Sequence, residues 1–262
     1  MNNINWEPIG INYKVFKGNF DGDGCNITNL LVESTHQHNE GGLFGSAESL
    51  LCNIIVYGKV DVDGYYAGTG GICGELIGQC NNCINHCSVS GNSYMGVGGI
   101  VGQLSGTITN CANYGNVSGK YASSSNVHVG GIAGEGYNIN GSTQNIVNCS
   151  NFGIIKGSTY SYLGGIIGGP SSRDIAVIEN CVNAGNFDGG KYRGGIMGYG
   201  TPKSINSCYW LYDASNNAGC QYPNGGDAKL TYSETYSFVP IGNACYISPD
   251  YTKDLLERLN SW

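Results

Sequence analysis

Ile108-Thr109-Asn110-Cys111-Ala112-Asn113-Tyr114-Gly115-Asn116-Val117-Ser118-Gly119 decides the fold, because the same pattern returns from Ile146 to Gly157 and again from Ile178 to Gly189. Between these copies runs a shorter pattern: two glycines, an aliphatic residue, any residue, then glycine. It begins at Gly41, Gly70, Gly98, Gly130, Gly164 and Gly194, at intervals of 28 to 34 residues. A period of this length is one supersecondary unit, which buries its apolar face only by stacking on its neighbours.

Aligned on Cys111, the units give one column of Leu30, Ile54, Cys83, Cys111, Cys149, Cys181 and Cys208, all residues suited to burial. The position before it holds Asn29, Asn53, Asn82, Asn110, Asn148, Asn180 and Ser207, and two places after it stand Asn85, Asn113, Asn151 and Asn183. In a β-solenoid equivalent residues stack about 4.8 Å apart, so each asparagine amide donates to one copy and accepts from the other. A tight bend is then buried with its polar groups satisfied. The paired glycines are expected to supply positive φ at another corner. Ile72, Ile100, Ile132, Ile166 and Ile196 should fill the interior.

The fold class is therefore all-β, a β-solenoid of about seven coils of roughly 30 residues each. Residues 1–40 form an opening coil and N-terminal cap, 41–210 the repeat solenoid, and 211–262 an irregular C-terminal cap. The first coil opens on Phe20-Asp21-Gly22-Asp23-Gly24. Ser248-Pro249-Asp250 reads as the start of a short capping helix near 249–262, with Leu255, Leu256, Leu259 and Trp262 on one face.

Composition agrees. The 262 residues include 44 glycines but only 12 Lys+Arg and 19 Asp+Glu, while 40% are hydrophobic. Such glycine density disfavours helices, and the apolar content excludes collagen and disorder. The net charge of −7 and scattered basic residues argue against nucleic acid as a partner. No apolar run reaches the roughly 18 residues that span a bilayer, so no membrane insertion is expected in this segment. The start, from Met1 to Trp6, shows no charged n-region or apolar h-region of a secretory signal.

Gly42-Leu43-Phe44-Gly45 and its Gly-Ile-x-Gly copies resemble the GLUG-motif repeats of bacterial cell-surface proteins. The likeness takes in the Phe20–Gly24 opening, the six glycine motifs, the Asn-Cys motifs and the Asp254-Leu255-Leu256-Glu257-Arg258-Leu259-Asn260 tail. It implies a fragment of a larger exported protein, extracellular or at the cell surface, acting as an adhesin-like stalk or binding module. Such repeats also occur beside the peptidase domain of some immunoglobulin-A-cleaving zinc proteases. This chain contains no His-Glu-x-x-His, so that activity does not carry over. No enzyme activity and no cofactor are expected.

Cys80-x-x-Cys83-x-x-x-Cys87, with Cys73 nearby, has the look of a zinc knuckle. The alignment instead puts Cys80 in the Ile108 column and Cys83 in the Cys111 column, which makes them small hydrophobes. Cys208, Cys220 and Cys245 fall outside the regular coils and are the disulfide candidates. His36-x-His38-x-Glu40 reads as a solvated loop before a metal site. Asp21 and Asp23 are a weak calcium candidate in a turn. Asp61 and Asp63 share strand parity but read as a solvated strand; a solenoid glycan hydrolase or lyase, the alternative function, would need a converging carboxylate group that the sequence does not show. The 19 tyrosines include Tyr65, Tyr66, Tyr94, Tyr121, Tyr160 and Tyr192, which follow the closing glycines and should line one edge. That edge either braces the coils or grips glycans or host and extracellular-matrix proteins.

Overall fold

The computed structural model describes residues 5–35, 40–64, 66–92, 94–120, 127–139, 141–171, 176–190 and 192–211, with the strands Pro240–Ile241 and Asn243–Ile247 beyond them. Within these residues the chain is a β-solenoid of about six turns. In the turn that starts at Thr69, Thr69–Gly70 enters one five-stranded sheet and Cys73–Leu76 a second. Gln79–Asn81, Ile84–Asn85 and Ser88–Gly91 then join a 19-stranded sheet.

The sequence columns are the structural registers. Gly70, Gly98, Gly130, Gly164 and Gly194 pair in parallel from turn to turn, as do Cys80, Ile108, Ile146 and Ile178. Below the first glycine motif a partial turn is bridged through Ile9–Phe44 and Phe16–Ala47 and paired along Phe20–Asp21, so the described residues make about six turns where about seven were expected. At the other end Ser204–Leu211 extends the long sheet, and Asn243–Ile247 adds a parallel strand to it. The helix expected near 249–262 lies outside the described residues.

Two asparagine columns do different jobs. Asn29, Asn53, Asn82, Asn110, Asn148, Asn180 and Ser207 all have φ between 49° and 61°, the left-handed region that asparagine tolerates best after glycine. They make the sharp bend in each turn. Contrary to expectation this ladder lies at the surface, where Asn82 Nδ2 donates to Asn53 Oδ1 at 2.7 Å and Asn148 Nδ2 to Asn110 Oδ1 at 3.1 Å. Asp21 ends it, accepting from Asn53 Nδ2 at 2.9 Å.

The buried ladder is the second column. Asn85, Asn113, Asn151 and Asn183 are fully buried, and the Nδ2 of Asn85, Asn113 and Asn151 each donates at 2.8 Å to the Oδ1 of the next. The second amide proton goes to the carbonyl two residues ahead, at Cys87, Gly115 and Gly153. Trp210 takes the next place in register above Asn183.

This ladder explains the paired glycines. A Cβ on Gly99 or Gly131 would lie 2.3 Å from the Cγ of Asn113 or Asn151, and one on Gly195 would lie 2.2 Å from Trp210 Cγ. The second glycine is thus required for room. Of the twelve glycines in the pairs only Gly42 has positive φ, at 157°, so the expected positive-φ corner is supplied by asparagine.

The core is as expected in kind. Ile72, Ile100, Ile132, Ile166 and Ile196 are fully buried, each worth roughly 1.5–3 kcal/mol of transfer free energy. The cysteine column is buried with them, and each thiol finds weak acceptors. Cys149 Sγ donates to Val147 O at 3.2 Å and Cys181 Sγ to Glu179 O at 3.2 Å. Cys208 follows the same rule, donating to Asn206 O at 3.2 Å. Its placement corrects the expectation that it falls outside the coils. Cys245 is opposite Tyr209 in register, while Ala244 is opposite Cys208; Cys220 lies outside the described residues.

Candidate functional site

Tyr65 and Tyr121 lie outside the described residues, as do His36 and His38. Tyr66 and Tyr160 are exposed on turns, at 49% and 54%, and Tyr94 and Tyr192 are half-buried. Apart from Phe16, Phe20 and Phe44, which pack together at the core of the first turn, rings gather in two groups among the described residues.

The first is a stack on the long sheet: Tyr57 on His86 at 4.3 Å and 3°, His86 on Tyr114 at 4.9 Å and 10°, and Tyr114 on Phe152 at 4.8 Å and 8°. This column lies three residues after the Cys111 column, so the alignment contained it. Both faces of His86 and Tyr114 are covered by neighbouring rings, leaving only edges for solvent. A sugar ring needs an open aromatic face, so this stack braces the turns.

The second group is irregular. His128–Gly130, Tyr162–Gly164 and Tyr192–Gly194 are successive parallel strands, which puts His128, Tyr162 and Tyr192 in one column. Tyr199 comes over them from the turn after the last glycine motif. Its ring centroid is 4.3 Å from that of Tyr162, tilted by 28°, and Tyr162 lies 5.0 Å from Tyr192 at 30°. His128 is 5.3 Å from Tyr162 at 44°.

Beside these rings runs a polar column of the second five-stranded sheet, Ser46, Glu75, Gln103, Glu135 and Gly169 in register. Ser46 Oγ donates to Glu75 Oε2 at 2.9 Å, and Gln103 Nε2 to Glu135 Oε2 at 3.4 Å. Glu135 is only 7% exposed, and its Oε1 is 3.3 Å from His128 Nδ1, an ion-pair distance without the alignment of a directed hydrogen bond. At Gly169 the column loses its side chain, and a Cβ there would come within 3.0 Å of Tyr199 O. A carboxylate, an imidazole, an amide and three phenol rings therefore converge. Such a set combines apolar faces with hydrogen-bonding groups. Sequence alone does not reveal it because it is assembled from four separate segments of the chain.

The other candidates resolve otherwise. Lys120 Nζ contacts both Asp61 and Asp63, and Lys59 Nζ lies 3.2 Å from Asp61 and 2.8 Å from Glu33. Against the opposing effect of partial burial, Lys120, Ser90 and Lys59 hold Asp61 below the usual carboxylate range. It is an ionised partner for lysine and a poor proton donor. Asp21 Oδ1 is taken by Asn53 Nδ2 and the Asp23 amide, which lower its pKa, and no set of three cation ligands forms there among the described residues. A cleft of about 1020 Å³ at the first turn is lined by Trp6, Tyr13, Glu7, Glu33, Glu40 and Asp63 among others. Glu40 is pushed upward by burial, with Glu75 adding to the effect. The knuckle cysteines do not converge as a set: Cys80 and Cys83 meet Cys111, with Cys73 and Cys87 outside that group.

No family model and no curated protein matches the chain. Among solved structures it is similar to a putative immunoglobulin A1 protease from Bacteroides ovatus, with a TM-score of 0.64 at 19% identity over 98% of this chain and 76% of that one. At this identity the likeness is one of fold.

Proposed function

We propose that the chain is a non-catalytic, adhesin-like recognition module of an exported bacterial surface protein, and that it holds a glycan or a host extracellular-matrix protein at the Tyr162–Tyr192–Tyr199 cluster. One observation carries this reading. The rings of Tyr162, Tyr192 and Tyr199 gather beside Glu135, Gln103 and His128, with Tyr199 stacked on Tyr162 at 4.3 Å and 28° and Tyr192 at the end of its column. Rigid aromatic area with a polar floor binds at low entropic cost. The likeness of the glycine motifs to GLUG repeats supports a surface location.

The test is binding of the purified chain to a panel of host and bacterial glycans and matrix proteins, beside a Tyr192→Ala/Tyr199→Ala variant with an unchanged circular dichroism spectrum. Binding that falls at least tenfold in the variant supports the reading; equal binding overturns it. The alternative, a solenoid glycan hydrolase or lyase, draws on Glu40, whose carboxyl is pushed upward by burial with the nearby Glu75 adding to the effect. Shortened glycans in the same panel, absent with Glu75→Gln, would replace the first reading with this one.

A further inference from the structure

The column that contains Leu51, Ile108, Ile146 and Ile178 has a cysteine at one place, Cys80. There it faces two members of the cysteine column, Cys83 in its own turn and Cys111 in the next. The three sulfurs lie within 4.8 Å of one another, all buried, with Cys80 Sγ 3.9 Å from Cys111 Sγ. No fourth His, Cys, Asp or Glu joins them among the described residues. Their neighbours along the two columns, Leu51, Ile54, Ile108 and Cys149, are fully buried, so the surroundings are dry, and the Cys149 thiol lies outside the three-sulfur group.

We propose that Cys80, Cys83 and Cys111 form a three-sulfur site for a soft monovalent cation, copper(I). Sulfurs bound at about 2.3 Å and spread evenly in a plane are about 4.0 Å apart, close to the Cys80–Cys111 separation. A tetrahedral ion such as zinc needs a fourth ligand, which neither the side chains nor a dry interior offers. Copper(I) prefers thiolates and is satisfied by three. One donor is already aimed at the site: the backbone N–H of Cys83 points to Cys111 Sγ at 3.4 Å, a hydrogen bond that stabilises negative charge on that sulfur.

The chemistry balances without redox change. Copper enters as copper(I), each thiol that binds as thiolate releases its proton to solvent, and no electron moves. Two thiolates and one thiol leave a net charge of −1, less costly in this interior than the −2 of three thiolates. With all three groups buried, the metal enters as the chain folds or during opening of these turns.

The experiment is anaerobic titration of the full chain with copper(I), both folded and during refolding, against a competing chelator, with X-ray absorption at the copper edge. The expected result is one tightly held copper per chain with a shell of three sulfurs. Cys80→Ile, which restores the residue of its own column, should lose that copper, and Cys181→Leu, which removes a thiol outside the trio, should keep it. Copper binding unchanged in Cys80→Ile, a shell containing nitrogen or oxygen, or no tight copper by either route would overturn the assignment. The absorption measurement on the unaltered chain decides even if a variant fails to fold.

Discussion

Replacing Asn113 by alanine tests whether the buried amide column holds the turns together. In the folded chain Asn113 Nδ2 donates to Asn151 Oδ1 and Gly115 O, and its Oδ1 accepts from Asn85 Nδ2, all at 2.8 Å and with no exposure. Three bonds at about 1 kcal/mol net give about 3 kcal/mol, and polar groups left unpaired in the interior raise this towards 5 kcal/mol. For a chain of this size that lowers the melting temperature by about 10 °C or more. Asn110→Gly is the control. Asn110 is exposed at φ 55°, a conformation glycine adopts freely, so its change should stay within about 1 kcal/mol. Urea unfolding followed by tryptophan emission gives both values, with Trp6 and Trp210 reporting from opposite ends of the described solenoid. An Asn113→Ala loss no larger than that of Asn110→Gly would refute the reasoning.

Three further outcomes are expected. Gly131→Ala should prevent folding, since its Cβ would meet Gly165 O at 2.2 Å, while Gly141→Ala, with open space around it and φ 82°, should cost only about 1–2 kcal/mol; circular dichroism separates them. The Cys111 thiol and burial push Cys83 up to about 12, and burial alone pushes Cys87 up to about 12, so native alkylation near pH 8 should mark exposed Cys25 and spare both; peptide mass spectrometry showing Cys87 labelled as fast as Cys25 would contradict this. Asp61, held below its unfolded pKa, adds stability that is present above the unfolded value and lost as pH falls through the folded one. Lys120→Met should therefore cost roughly 1 kcal/mol near neutral pH and almost nothing once the carboxyl is protonated, as read from urea midpoints across that range.

The architecture was legible because a solenoid writes each structural column into the sequence at a fixed period. Asn110, Cys111 and Asn113 mark a bend, a core position and a ladder in the sequence itself. Their roles were harder to read. Which asparagine column is buried depends on the direction of the side chain at the bend, and the left-handed φ of Asn110 turns it outward. The reason for the second glycine was hidden because the neighbour that excludes a Cβ, the ladder asparagine, comes from a different strand of the coil. The Tyr57–His86–Tyr114–Phe152 stack was present in the alignment but mixes residue types, so identity alone concealed it. The Tyr162–Tyr192–Tyr199 group with His128 and Glu135 was beyond reach, since it depends on how the final turn folds back over Gly169.

The bonds between successive turns, such as Ile72 N to Ile100 O at 3.0 Å, Ile100 N to Ile132 O at 2.9 Å and Ile166 N to Ile196 O at 2.8 Å, all run along the axis of the rod. A pull on its two ends therefore loads the turns in series, and the weakest interface sets the force for the whole length. Yielding one coil at a time, each releasing about 30 residues of chain, the rod would pay out slack under tension and absorb work as a tether does.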